Sequence, residues 1–363
     1  MNTEAPARTS AQKHLNVAIV ALVFVMAHVI RHDHPTAQVQ VPPSASLDVQ
    51  VPAAPTPVRI GGRIHLAYEL HITNFTAVDL ALARIDVLGD QQNGVPLASY
   101  QDAELRSGLA RAGARPDASD KRLIGGGMRV VFFIWLALDD TTPVPSALHH
   151  RISFNVPAPS GDIGVVVTDR VGVGHGAPIV LGPPLRGGPW IAVYDPSSIG
   201  GHRRALFAIG GKVRIPARFA IDWVKQGDSG YGADVLAVAD GVVADAVDGL
   251  AEPTVPITRD NESGNYIALD LGGGRFAFYE HLKPGSITVK VGDRVRSGDV
   301  LALLGRSGSV SSGAHLHFHV SDANLPLGAE GIPYVFGRFE QMVGPQVTTH
   351  RMEMPPSQAV LRF

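Results

Sequence analysis

Apolar and polar positions alternate with a period of two along much of this chain. Over 63–73, Ile64, Leu66, Tyr68, Leu70 and Ile72 alternate with His65, Ala67, Glu69, His71 and Thr73. That pattern predicts a strand with one buried and one solvated face. Runs at 79–88, 128–138 and 148–156 continue it, separated by Gly, Asp and Pro turns. Strand patterns resume at 219–224, 235–239, 242–246, 266–271, 276–281, 300–304 and 314–320. Long helical Glu/Lys/Leu patterns are missing, so the fold class expected is all-β.

The punctuation between the runs sets the expected organisation. Strands with turn signals over 57–180 predict a β-sandwich of immunoglobulin-like size. Pro183, Pro184, Gly187, Gly188 and Pro189 mark a boundary, after which a second β domain is expected over 186–340. Residues 341–363 carry Pro355-Pro356 and no clear period, and read as a tail. Residues 35–56, rich in Pro, Ala, Val and Gln, read as an extended linker. Residues 1–14 are polar with Arg8 and Lys13, and 15–30 is an apolar run broken by Asn16 and His28. A positive start before an apolar run resembles a secretory signal, with Val25 and Ala27 offering a small-residue cleavage site. Residues 1–34 are therefore expected as a signal peptide. An uncleaved anchor, which needs about 20 apolar residues, is second choice. Export to the periplasm, cell envelope or medium follows as an expectation.

Composition narrows the chemistry. The net charge is −2 and 18% of residues are charged, which indicates no nucleic-acid-binding surface. There is no cysteine, so disulfides, thiolate nucleophiles and cysteine zinc sites are all excluded. A transition metal would have to be held by His and carboxylate. His65 and His71 fall on the polar face of their strand and read as solvated, and the adjacent His149 and His150 would point to opposite faces. His28, His32 and His34 lie in or beside the segment expected to be removed.

The densest chemistry is His315-Leu316-His317-Phe318-His319. On a strand, residues i, i+2 and i+4 share a face, so three imidazoles would point one way, roughly 6.5–7 Å apart. Four motifs in order surround it. Phe219-Ala220-Ile221-Asp222 comes first, followed by Tyr231-Gly232 and the stretch 235–243. Then come Tyr279-Glu280-His281-Leu282, and last Val289-Lys290-Val291-Gly292-Asp293 through Gly305, Ser307, Gly308, Ser311 and Gly313 to His315-Leu316-His317. Together they resemble lysostaphin-type (LytM-type) zinc metallopeptidases, over about residues 200–336. The resemblance implies a duplicated hybrid motif-like β domain. It implies Asp222 and His317 as zinc ligands, and His281 and His315 as non-ligand histidines facing the activated water and the scissile carbonyl. A catalytic zinc keeps three protein ligands and an open position, and a neutral His can take a proton while a donor His stabilises an oxyanion. The sequence does not divide those two roles between His281 and His315.

One position departs from the pattern. The family's first metal ligand is a His four residues before the Asp, and here that position is Arg218. A guanidinium has no lone pair to give. Gly210-Gly211 predicts a turn between antiparallel strands, which would bring His202 opposite Arg218, sharing a face with Asp222, or opposite Phe219, facing away. Loop length decides between them. A vacated ligand position with a histidine in reach favours His202 as the third ligand. His319 stands where the family more often has Glu, as an outer partner or a solvated residue. Asp240, Asp270 and Asp293 read as turn carboxylates, and Trp190 and Tyr279 as core.

The leading expectation is an exported zinc endopeptidase acting on peptide cross-links of peptidoglycan, its substrate class implied by the resemblance alone. The alternative is a degenerate domain of the same type that binds and activates a cell-wall amidase. Loss of the first ligand fits that alternative, while retention of Asp222, His281 and His315 does not. A biotinyl/lipoyl-type carrier would need an exposed Lys at a hairpin tip, and none is found. A purely structural β protein leaves the ordered motifs unexplained. The sandwich is expected to space the domain or bind a protein partner.

Overall fold

Among the described residues the regular secondary structure is almost all strand, with one short α-helix at Asp102–Gly108 and one 3-10 turn at His202–Arg204. The computed structural model describes residues 46–363 apart from 91–93, 112–119, 140, 157–160, 162, 199–200, 259 and 311–312. The expected signal segment, with His28, His32 and His34, lies outside the described residues. So does Ser311. Within the compact unit Pro42–Phe363 there are two large cores.

The first core lies between two antiparallel sheets. One centres on strands Arg63–Asn74 and Arg129–Ala137, which pair over their length. The other centres on Leu80–Gly89 and Ala147–Asn155. Leu66, Tyr68, Leu70 and Ile72 of the alternating strand face this core, with Phe132, Ile134, Ile152 and Phe154. Part of the expected linker belongs here: Leu47–Gln50 is a strand paired with Arg63–Asn74. Its polar composition hides a short edge strand whose backbone completes the ladder.

The other face of Arg63–Asn74 departs from expectation. From Leu66 onward the strand is buried on both sides. Glu69 and His71 are 3% exposed, and His65 accepts a hydrogen bond from the Trp135 indole at 2.9 Å. His71 is therefore not solvated, and His65 is half-buried with an internal hydrogen-bond partner. Polar residues mark this face as wet only when nothing covers it, and here the second half of the chain does. Arg218 is buried between Glu69 and Glu330, with Nη2 3.0 Å from Glu69 Oε1 and Nε 2.8 Å from Glu330 Oε1. Burial opposes charge on both partners. The reciprocal attraction outweighs it, raising the Arg218 pKa and lowering that of Glu69.

The second core lies under a sheet whose order runs Arg294–Val295, Gly241–Val247, Asn265–Asp270, Phe276–Leu282, Leu316–Ser321, Ile221–Lys225, Trp190–Val193, Val360–Arg362, Phe339–Val343 and Gln346–His350. Trp190, Trp223, Tyr279 and Phe318 are fully buried, so Trp190 and Tyr279 are core residues. Asp240, Asp270 and Asp293 each accept a backbone N–H at a turn. The expected tail is part of this sheet. Val360–Arg362 runs between Trp190–Val193 and Phe339–Val343, and Phe363 packs edge-on against Trp223. Three residues are too short a strand to show a period, and Gln346–His350 sits at the outer edge, exposed along most of its length. Among the described residues no helix is long and apolar enough to cross a membrane.

This placement is testable at Leu361, which is fully buried. Leu361→Ala should cost about 2–5 kcal/mol of stability by the cavity it leaves. Urea unfolding of the purified protein measures it; a loss within error of zero would mean the C-terminal strand does not pack as described.

Candidate metal centre

Three neighbouring strands carry most of the site. Asp222 lies directly opposite His317 across one ladder, and His317 opposite Glu280 across the next. Directly opposed residues share a face, so Asp222, His317 and Glu280 form a row on one side of the sheet. His281 follows Glu280 and by alternation would point the other way. Its backbone is left-handed, φ 65°, which breaks the alternation. Its ring then stands 4.9 Å from that of His315 and 5.9 Å from that of His317, centre to centre. A non-glycine residue held at positive φ costs on the order of 1–3 kcal/mol, and such strain clusters at functional sites.

His202 arrives from elsewhere. The Gly210-Gly211 turn exists, joining strands Phe207–Ile209 and Lys212–Arg214. Continued, that register would set His202 opposite Phe219, the unfavourable case. The hairpin instead ends at Phe207, and residues His202–Arg204 form a single 3-10 turn. A turn of three residues per revolution sends successive side chains about 120° apart. His202 is thereby aimed at Asp222, with Nε2 2.8 Å from Oδ2.

Asp222 is the hub. Its Oδ1 takes His317 Nδ1 at 2.8 Å, and the His202 and His317 rings stand 4.5 Å apart. Burial alone would raise its pKa. The hydrogen bonds from His202 and His317 outweigh that and hold it well below the carboxylate range. The donor atoms of His202, Asp222 and His317 all lie within 4.8 Å of one another. Ligand atoms of a tetrahedral zinc stand roughly 3.3 Å apart, given bonds of about 2.0–2.1 Å. Two imidazole nitrogens and a carboxylate oxygen gathered within that reach are a donor set that a zinc-type cation takes. Arg218 points away to Glu69 and Glu330 and contributes no donor.

The remaining histidines are held in definite tautomers. His281 Nδ1 lies 2.8 Å from the Ser307 carbonyl and His315 Nδ1 3.0 Å from that of Gly313. A carbonyl only accepts, so Nδ1 carries the proton in both, and each neutral ring has its lone pair on Nε2. His315 Nε2 is 3.8 Å from Asp222 Oδ1. Burial is the main cause that pushes the His281 pKa down to about 3 and also lowers that of His315. Both rings are thus neutral bases at pH 7. His317 differs. Burial opposes its charge, but Glu280 and Asp222 together raise its pKa.

His319 is neither a ligand of the triad nor solvated. It is 1% exposed, stacks on Phe278 and sets Nδ1 3.2 Å from His317 Nε2. If His317 ligates through Nδ1, its Nε2–H donates to His319 Nδ1, the outer hydrogen bond that fixes a ligand's tautomer. Burial keeps His319 neutral, with its pKa well below the usual range. Glu280, with His317 and His319, makes a second group of donor atoms within the same reach. Its part is not legible in the sequence, because its place opposite His317 depends on the order of the strands. A cavity of about 200 Å³ opens beside His202 and Asp222, bounded by Trp135, Tyr194, Arg203 and Ala220.

Comparison with known proteins gives the site a family context. Residues 225–328 match Peptidase family M23. That span includes His281, His315 and His317 and leaves out His202, Arg218 and Asp222. An uncharacterized metalloprotease of Buchnera aphidicola subsp. Baizongia pistaciae is 34% identical over 89 residues, which is 24% of this chain and 20% of that protein. This chain thus aligns with about a fifth of that relative's length. Among solved structures, the lysostaphin catalytic domain of Staphylococcus simulans aligns at 22% identity over 40% of this chain and 88% of its own, TM-score 0.25. A zinc containing peptidase from Vibrio cholerae aligns at 14% identity over 78% and 83%, TM-score 0.28.

The strain at His281 yields an expected outcome of its own. Because glycine tolerates positive φ, His281→Gly should be about 1 kcal/mol more stable than His281→Ala. Thermal unfolding of the two variants tests this, and equal stability would remove strain from the account of how His281 is aimed.

Proposed function

We propose that this peptidase family M23 domain is a zinc metalloendopeptidase that hydrolyses peptide bonds, with peptidoglycan cross-links as substrate. The observation that carries the reading is Asp222 flanked at 2.8 Å by both His202 and His317, with two neutral histidines beside it. His202, Asp222 and His317 would hold the metal. Zinc, when bound there, supplies Lewis acidity that lowers the pKa of water towards 7 and polarises a carbonyl. The chain's own residues supply the rest. His281 and His315 each offer a lone pair at Nε2 and a proton anchored on Nδ1 by a carbonyl. The one nearer the attacking water takes its proton at Nε2. The imidazolium so formed donates from Nε2, first to the developing oxyanion and then, by giving up that same proton, to the departing amine. Hydrolysis places the hydroxyl on the carbonyl carbon and the proton on the departing amine. The apolar run at 15–30 supports export to the envelope, where such a substrate lies, and an N-terminus near Ala27 in the mature protein is the matching expectation.

The amidase-activator reading predicts a site with two donors. A third donor beside Asp222 favours the enzyme. The test uses the full chain on purified cell-wall sacculi and on cross-linked muropeptides, followed by mass spectrometry of released products. Zinc removal by a chelator should abolish cleavage and zinc alone restore it. Asp222→Ala and His317→Ala should weaken zinc binding by orders of magnitude. His281→Ala and His315→Ala should keep the zinc yet lose about 10²–10⁴-fold in turnover. Cleavage that persists unchanged in Asp222→Ala would sink the proposal.

A further inference from the structure

Residues 202–204 face two ways. His202 turns to Asp222, while the next two residues enter the sandwich. Arg203 is 4% exposed. Its guanidinium donates to the backbone carbonyls of Tyr68, at 3.1 Å, and Ile134. It also lies over the rings of Trp135, at 5.2 Å, and Phe133, at 5.7 Å. Arg204 donates to the Ser107 carbonyl at 2.7 Å and lies 5.3 Å from the Phe133 ring centre. Within the turn itself, two hydrogen bonds tie Arg204 N to Gly201 O and Ala205 N to His202 O. A single 3-10 turn with two bonds has little stability of its own. The Arg218–Glu69 pair clamps the same sandwich strand to the segment leading into Asp222.

We propose that the sandwich is a working part of the metal site: Arg203, buried against strands Arg63–Asn74 and Arg129–Ala137, is the positioning residue that holds His202 at ligand distance from Asp222, with the Glu69–Arg218 pair fixing the two halves in register. This rests on the metal reading above. A ligand at position 218 would stand on the segment just before the Asp-bearing strand Ile221–Lys225. Here the donor stands on a turn whose geometry is set by the neighbouring sandwich. The sandwich therefore governs metal affinity as well as spacing.

The test measures zinc affinity of the full chain by competition with a chromophoric chelator, together with amide hydrogen exchange over 201–205 in the metal-free protein. Arg203→Met should weaken zinc about tenfold or more, the scale seen when the outer partner of a ligand is lost. It should also speed exchange at Arg204 and Ala205. Arg203→Lys, which keeps the charge and a donor, should recover part of the affinity. Phe154→Leu, in the other sheet of the sandwich, should lower the melting temperature and leave zinc affinity unchanged, which separates positioning from general loosening. If Arg203→Met does not fold, Glu69→Gln takes its place with an expected several-fold loss. A folded Arg203→Met that binds zinc as tightly as the parent, where His202→Ala does not, overturns the positioning role and leaves the metal site standing. The same holds for Glu69→Gln. A parent chain that binds no zinc, or a His202→Ala variant that binds as well as the parent, overturns both.

Discussion

The Arg218 guanidinium, buried between the carboxylates of Glu69 and Glu330, constrains the rest of the structure. Taking these groups out of water costs several kcal/mol per ion, recovered only when geometry and hydrogen bonding are good. Two carboxylates for one guanidinium leave an excess negative charge. Arg203 sits close enough to Glu69 to help lower its pKa, while burial leaves that of Glu330 raised. Such a cluster is weak as a source of stability and strong as a specifier, because only one docking of the sandwich pairs every member. It explains why the polar face of Arg63–Asn74 is dry, and why position 218 cannot serve the metal.

Much of the fold was legible because a period of two is a local property. The alternation at 63–73 identified its strand, and the apolar set faces the core as the pattern requires. Local pattern cannot say what covers the opposite face, so His71 reads as solvated although the structure buries it, and His65 is half-buried. The strands Leu47–Gln50 and Val360–Arg362 are too short and mixed to carry a period, and their ladders depend on partners distant in sequence.

The site divides along the same line. Asp222, His281, His315 and His317 stand in motifs whose spacing is local, and the structure gathers them on one face. His202 was legible as a candidate only through the vacancy at position 218. Its route was not legible, since a hairpin register would have turned it away, and a 3-10 turn anchored by tertiary contacts brings it back. His319 and Glu280 became interpretable only with the strand order, because each gains its partner across a ladder.

The three donors of the proposed site are also held with unequal stiffness. Asp222 and His317 are fixed by a ladder between central strands, and the His317 side chain is 6% exposed. The His202 side chain is 39% exposed and sits on one short turn. Opening that turn breaks two internal hydrogen bonds, whereas displacing either strand residue disrupts a ten-stranded sheet. Local opening is drawn from the least protected elements of a fold. Exchange of a metal would therefore run through His202, with Asp222 and His317 as the standing pair. Tight binding would require that the contacts of Arg203 keep the open state of the turn sparsely populated, since affinity falls in proportion to the fraction of competent sites.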